Sequence, residues 1–340
     1  MTIKDIAKEC GCGVGTVSRV LNNHPDVSEE TRKKVMAVVD KHGFVLNRNA
    51  SQLKSQDNKT IVILVKGTSS PLLNEMLGVI LKRMETLPYN ASVVILDEYD
   101  NEAQEAIRVY YEQKPQGMVF LGGNPDKYSD DFAKIVIPSV LISNEAASPD
   151  GSSAQGCGLL SSVSIDNVKA SEYAAEYLIK KGHTKIGVIG GDLNSSEISK
   201  KRYQGFLNAI EKHGLVFDEK QSYEVSKYSF KSGETAARAL LERNPTLTAF
   251  FTMSDAMAIG ACRALGDMGF SVPRQFSVTG FDGLPYADFY FPRITTIRQP
   301  ATKLADDGLT ILLNSLERNA GTKHKLVPFD FIEGESVREL

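Results

Sequence analysis

Residues 2–23 read TIKDIAKECGCGVGTVSRVLNN. Thr2 with Asp5 three residues later fits a capping box, and Ile3, Ile6 and Ala7 follow at helical spacing, so a short helix opens the chain. Gly11 and Gly13 end it. Beyond that turn Val17, Val20 and Leu21 form a second apolar stripe, while Thr16, Ser18, Arg19 and Asn22 occupy the other faces. Two short helices around a glycine turn make either an ordinary helical hairpin or a helix-turn-helix. A recognition helix enters the major groove with small or hydrogen-bonding side chains at its start and an arginine one turn later. Val14, Gly15, Thr16 and Arg19 meet that requirement.

After this pair, residues 22–26 (NNHPD) form a turn-rich loop, and Ser28 is a natural N-cap before Glu29 and Glu30, whose charges suit a helix N-terminus. A third helix is expected to about His42, with Val35, Val38 and Val39 as its apolar face and Gly43 as its stop. Charge supports the same reading. The whole chain of 340 residues has a net charge of −3, yet residues 1–60 hold ten Lys/Arg against seven Asp/Glu. A basic head on an acidic body concentrates phosphate contacts at one end.

No apolar run approaches the roughly 20 residues a membrane span needs, and the polar first helix does not read as a signal peptide, so a cytoplasmic protein is expected. Cys10 and Cys12 are close together, Cys157 and Cys262 are far apart, and no C-x-x-C pair or histidine cluster accompanies them. Free thiols are expected, with no metal and no cofactor.

From Ile61 onward the chain alternates strand and helix. Strands are expected over 61–65, 92–96, 117–121 and 139–142, then over 185–189, 249–252 and 276–280, with helices over 72–85, 170–180, 201–213 and 256–268. Such alternation implies parallel sheets with helices on both faces. Two series of similar length imply two lobes with a cleft between them.

The opening string resembles the start of the LacI/GalR family of bacterial transcriptional regulators, in which a T-x-K-D-[VI]-A segment leads into T-V-S-R-V-L-N. The resemblance continues through Val163–Asn167 (V-x-x-D-N), Gly182-His183, Arg202–Phe206 (R-x-x-G-F), Ser254-Asp255, Gly280-Phe281-Asp282 and Thr295–Pro300 (T-T-I-R-Q-P). It implies an all-α helix-turn-helix headpiece (1–45), a hinge helix and linker (46–60), and an α/β periplasmic-binding-protein-like core of two doubly wound parallel-sheet lobes. The lobes would be 61–162 plus 294–325 and 163–293 plus 326–340, with crossings near Val163, Arg293 and Leu326.

The resemblance further implies DNA contacts from Thr2, Val14, Gly15, Thr16, Ser18, Arg19 and Asn22, and from hinge residues Asn47, Ala50 and Leu53. Leu53 matches a leucine that wedges into the minor groove. Two features depart from the family's hinge: Leu46 stands where proline is usual, and Ser51 where arginine is common. In the cleft, Arg202, Asp282 and Tyr228 match an anchoring arginine, an opposing carboxylate and a stacking ring, with Leu72, Ser143 and Ser254 alongside. Ser143 replaces a usual aspartate and Ser254 a usual asparagine, which implies an effector that is larger or carries its own charge for Arg202. The expected function is allosteric repression by a homodimer on a pseudo-palindromic operator, controlled by a small carbohydrate-like metabolite.

A catalytic alternative finds little support. Gly11-x-Gly13-x-Gly15 lacks both the G-x-G-x-x-G spacing and a preceding strand, and no P-loop or G-x-S-x-G elbow occurs. A free sugar-binding protein or a sugar-modifying α/β enzyme are the remaining rivals. The first would lack residues 1–60, and the second would need a catalytic pair in the cleft.

Overall fold

The computed structural model describes residues 3–21, 26–42, 59–67, 70–146 and 159–340. The chain forms two compact units, residues 1–58 and 59–340.

In the first unit, α1 (Ile3–Cys10) ends at Gly11, whose φ of +63° is a left-handed conformation that glycine adopts freely. The Cys12 N–H closes the turn on the Ala7 carbonyl at 3.0 Å. Helix α2 (Val14–Leu21) buries Val17 and Val20, while Leu21 is half-buried. Helix α3 (Glu29–Lys41) starts where the Ser28 hydroxyl accepts the Thr31 N–H at 3.4 Å. Val35 and Val39 complete a core with Ile6, Ala7, Cys10, Val17 and Val20. A core of so few small side chains supplies only a few kcal/mol. Glu9 on α1 additionally ties down the end of α3, accepting from Lys41 Nζ at 2.8 Å and pairing with His42 at 2.9 Å.

Among its described residues the second unit contains two six-stranded sheets. The first runs in the order β11-β5-β4-β3-β1-β2, all parallel, from β1 (Thr60–Lys66), β2 (Asn90–Leu96), β3 (Gly117–Leu121), β4 (Ser139–Ile142), β5 (Leu160–Ser164) and β11 (His324–Leu326). The second runs β12-β10-β9-β8-β6-β7, from β6 (Ile186–Gly190), β7 (Tyr223–Val225), β8 (Ala249–Thr252), β9 (Ser277–Asp282), β10 (Thr295–Arg298) and β12 (Asp330–Ile332). Only the β10–β12 pair in it is antiparallel. The central strands β3, β6 and β8 are buried throughout, which is why they read as largely apolar runs, whereas β5 and β9 are equally buried but carry serine, threonine and aspartate.

The helices cover the faces: α4 (Pro71–Met84), α5 (Glu102–Gln113) and α6 (Ser129–Phe132) in the first lobe, and α7 (Asn167–Lys180), α8 (Glu197–Lys212), α9 (Glu219–Ser222), α10 (Phe230–Arg243), α11 (Asp255–Asp267) and α12 (Pro285–Phe289) in the second. The last helix, α13 (Ala301–Arg318), returns to the first sheet and packs on β3, β4, β5 and α4.

The lobe boundaries differ from expectation at two places. Val163 still belongs to the first lobe, paired with Ile142 and Lys325, so the first crossing follows Ser164. Residues 294–300 do not belong to the first lobe: Thr295–Arg298 pairs with Thr279–Asp282 on one side and Asp330–Ile332 on the other. The second crossing therefore comes after Gln299 rather than near Arg293. The third follows Leu326, which still pairs with Ser164. Among the described residues no helix is long and apolar enough to cross a membrane, and no three His, Cys, Asp or Glu side chains converge as metal ligands do.

Candidate functional site

A cavity of about 130 Å³ lies between the two sheets. Its lining comes from the segments that follow the carboxyl ends of the strands. Lys66 ends β1, Gly122 and Gly123 follow β3, Ser143 follows β4, Gly191 follows β6 and Asp282 ends β9. In open α/β sheets this is where ligands bind.

Arg202 is the most constrained side chain in the cleft. It projects from α8, is 3% exposed, and its guanidinium lies 3.7 Å from the Phe281 ring centroid. Nε donates to Asn167 Oδ1 at 3.1 Å, Nη1 donates to the Met253 carbonyl, and Nη1 stands 3.7 Å from Asp282 Oδ1. Asn167 is itself fixed, donating to Ser164 Oγ and the Ile165 carbonyl at 3.2 Å. The V-x-x-D-N motif thus divides its work: Asp166 caps α7 through the Lys169 N–H, and Asn167 aims the arginine.

Asp282 accepts from Gln299 Nε2 at 2.9 Å. Burial pushes its carboxyl up to about 6, even though Arg202 pulls in the other direction. Behind it Asp255 is completely buried, accepting from the Thr296 hydroxyl at 2.6 Å and the Leu284 N–H at 2.8 Å. Burial, and then the charge of Asp282, holds the Asp255 carboxyl well above the usual carboxylate range. Asp282 thus stands between the Arg202 guanidinium and a second buried carboxyl. Backbone strain gathers at the same place: Ser143 has φ +78° and Asp282 φ +116°, conformations that side-chain-bearing residues rarely adopt.

Leu72, Ser143, Arg202, Tyr228 and Asp282 all line the cavity. The half-buried Tyr228 ring places its hydroxyl 2.8 Å from Ser199 Oγ. Ser254 does not line the cavity. Its hydroxyl accepts the Met257 N–H at 3.1 Å and caps α11, a local structural duty that a serine before an aspartate often performs. The reading from sequence also missed Lys66, Glu102 and Asn124, which form a buried polar chain beside the cavity. The available signal was a lysine ending an apolar strand and the Gly122-Gly123-Asn124 turn after β3.

In the first unit, Val14, Gly15 and Arg19 are exposed along α2, with Thr16 and Ser18 intermediate, so the face opposite Val17 and Val20 is the accessible one. Arg19 Nη1 lies 3.5 Å from Asp26 Oδ2, with its side chain 63% exposed. Thr2, Asn22, Asn47, Ala50 and Leu53 lie outside the described residues.

A helix-turn-helix unit together with a two-lobed core and a polar cleft defines a DNA-binding transcriptional regulator. Comparison with known proteins specifies which kind. Residues 2–47 match bacterial regulatory proteins of the lacI family, and residues 175–337 match the periplasmic binding protein-like domain. The chain is 34% identical to the HTH-type transcriptional regulator MalR of Clostridium butyricum over 99% of both chains. It shares the fold of the lac repressor dimer bound to operator and the anti-inducer ONPF, with TM-score 0.78, 23% identity and 99% of each chain covered. The transcriptional regulator CelR–cellobiose complex is similar at TM-score 0.70, 23% identity and the same coverage. The chain belongs to the LacI family, whose members regulate transcription and are not enzymes.

Proposed function

We propose that this protein is a cytoplasmic repressor that binds a pseudo-palindromic operator as a homodimer and changes its operator affinity when a sugar or sugar derivative enters the cleft. One observation carries the reading. The cavity between the lobes combines an apolar and aromatic wall, Leu72 and Tyr228, with a pre-aimed arginine and carboxylate, Arg202 and Asp282. Such a set suits a small hydroxylated ligand. The cellobiose complex of a structurally similar regulator supports the same class.

The direct test is thermal unfolding of the full chain against cellobiose, maltose, galactose and ribose. A sugar at 100 times its dissociation constant adds about 2.7 kcal/mol, enough to raise the melting temperature by a few degrees. No shift with any sugar class would overturn the effector reading. Coupling is reciprocal, so the sugar that alters operator affinity has its own affinity altered by the same factor in the presence of operator.

For the operator, Val14 is placed to meet a thymine methyl, Gly15 allows close backbone approach, and Arg19 exchanges Asp26 for a guanine edge. Thr16, Ser18, Thr2 and Asn22 supply further contacts around the recognition helix, while Asn47, Ala50 and Leu53 act from the hinge. Arg19→Ala is expected to cost roughly 1–3 kcal/mol in operator binding and to relax preference at one base pair per half-site. Equal loss on all DNA sequences in a mobility-shift series would show that Arg19 touches only phosphate.

Dimerisation is favoured by exposed apolar surface. Val93 and Ile95 point outward from the edge strand β2, at 38% and 61% exposure, and Phe289 and Phe291 are 89% and 87% exposed. An apolar edge strand and two bare phenylalanines are surfaces that soluble proteins cover, and a second copy of the chain covers them in this reading.

A further inference from the structure

Lys66 and Glu102 form an ion pair with side chains 6% and 1% exposed, and Lys66 lines the effector cavity. A charge pair so deeply buried is expensive unless its remaining polar sites are used. Glu102 has a partner on each oxygen: Oε2 takes the Lys66 ammonium, and Oε1 takes the Asn124 N–H at 2.5 Å. The turn is shaped for this approach. Gly123 has φ +150°, and a Cβ there would stand 3.1 Å from Glu102 Oε1. Asn124 in turn reaches the other lobe, donating from Nδ2 to the Ser195 carbonyl at 2.6 Å and accepting the Glu197 N–H on Oδ1 at 3.0 Å. Lys66, with the Tyr128 ring centroid 5.0 Å away, has three ammonium donors, of which Glu102 uses one.

Two other charges of the cleft have partners of opposite sign. Arg202 faces Asp282, and Glu98 pairs with Lys227 at 3.0 Å. Asp192 is held by the Asn194 N–H and the Ser195 hydroxyl, with no cation bonded to it. Among the described lining residues the two cations, Lys66 and Arg202, each already face a carboxylate, and Glu98, Asp192 and Asp282 make the lining slightly negative.

Resting on the effector reading above, we propose that Lys66, presented by Glu102, is a specificity-determining residue that selects a neutral polyhydroxylic ligand and excludes its phosphorylated counterpart. An oxygen of the sugar accepts from the ammonium, which remains neutralised by Glu102, whereas a phosphate would meet the lining carboxylates Glu98, Asp192 and Asp282 with both lining cations already paired. Because Glu102 also holds the Asn124 turn, the contact at Lys66 stands one carboxylate away from a tie between the lobes. This account replaces a charged effector for Arg202, since that guanidinium is already engaged on three sides.

The test is calorimetric titration of the full chain with two series: cellobiose, maltose, galactose and ribose, and glucose 6-phosphate, galactose 1-phosphate and ribose 5-phosphate. A neutral sugar is expected to bind at least tenfold more tightly than any of the phosphates. Lys66→Met alone strands a buried carboxylate, so it is combined with Glu102→Gln, which keeps an acceptor for the Asn124 N–H. The double variant is expected to lose tenfold or more in sugar affinity while melting within a few degrees of the parent. Glu102→Gln alone leaves the ammonium without its counter-charge and is expected to shift the phosphate-to-sugar affinity ratio at least tenfold toward phosphate. Tighter phosphate binding by the parent chain, or an unchanged affinity in the double variant, overturns the proposal and leaves the sugar-effector reading standing. Binding of neither series to the parent chain overturns both.

Discussion

At pH 8 the Arg202→Met variant is expected to unfold with about 3–5 kcal/mol less free energy than the parent, and at pH 5 much of that deficit should vanish. Methionine keeps the apolar stem and can still contact the Phe281 ring, but it ends short of the guanidinium, so the change removes the charge together with its hydrogen bonds to Asn167 and the Met253 carbonyl. What remains is Asp282, fully buried, with Asp255 behind it and Glu75 nearby. In the parent its carboxyl is already pushed up to about 6 by burial, with Arg202 and the Gln299 hydrogen bond restraining the rise. Without the guanidinium it rises further. A carboxyl whose folded-state value exceeds its unfolded value contributes stability that is complete below the unfolded value and lost as pH climbs through the folded one. Raising the folded value extends that loss to higher pH, so parent and variant diverge most above pH 6 and converge below it. Denaturant titrations at the two pH values read this directly. An equal deficit at both would assign the loss to packing over Phe281 and the lost hydrogen bonds to Asn167 and Met253 rather than to the unpaired carboxylate. Sugar binding is expected to disappear at either pH, because the donor itself is gone.

How far such arguments were open to sequence reading depends on whether a residue's partner is local. The helix pair at the N-terminus was legible because Val17 and Val20 fall on one face at helical spacing and Gly11 supplies a left-handed turn that other residues resist. Buried strands such as β1 and β3 were legible as apolar runs, whereas β5, with three serines, was not. The crossing after Gln299 was not: Thr295–Arg298 is polar enough to belong to either sheet, and only its pairing with β9 and β12 decides. In the cleft, Arg202, Asp282, Tyr228, Ser143 and Leu72 were reached through family motifs and do line one cavity. Ser254 looked equivalent, yet a capping serine and a ligand-facing serine are the same letter. Lys66 and Glu102 are 36 residues apart, and Glu102 and Asn124 are 22 apart. A lysine ending a strand reads as a solvent edge until the glutamate that covers it is in view.

Gly205→Ala is expected to destabilise the core by about 3 kcal/mol or more, at or beyond the upper end for overpacking, because the new methyl would meet two backbone atoms and the Ser171 Cβ, none of which is the end of a flexible side chain. A Cβ at this position would stand 2.1 Å from the Val168 carbonyl oxygen and 2.9 Å from the Glu172 nitrogen, so helices α7 and α8 would have to separate. Gly266→Ala supplies the control of opposite sign. It is an exposed glycine near the end of α11 with nothing within 4 Å of the added methyl, and the substitution should stabilise by up to about 1 kcal/mol. Melting curves of the two variants separate helix propensity from helix contact.

The functional consequence follows from position. Gly205 is one turn beyond Arg202 on α8, and Asn167, which aims the Arg202 Nε, is the first residue of α7. Moving the helices apart is expected to lengthen that 3.1 Å hydrogen bond. Gly205→Ala should therefore weaken sugar binding even at temperatures where the variant is fully folded, whereas Gly266→Ala should leave it unchanged. If Gly205→Ala binds sugar as the parent does while melting lower, the arginine is held by its carbonyl and carboxylate partners, and Asn167 serves only to close the start of α7.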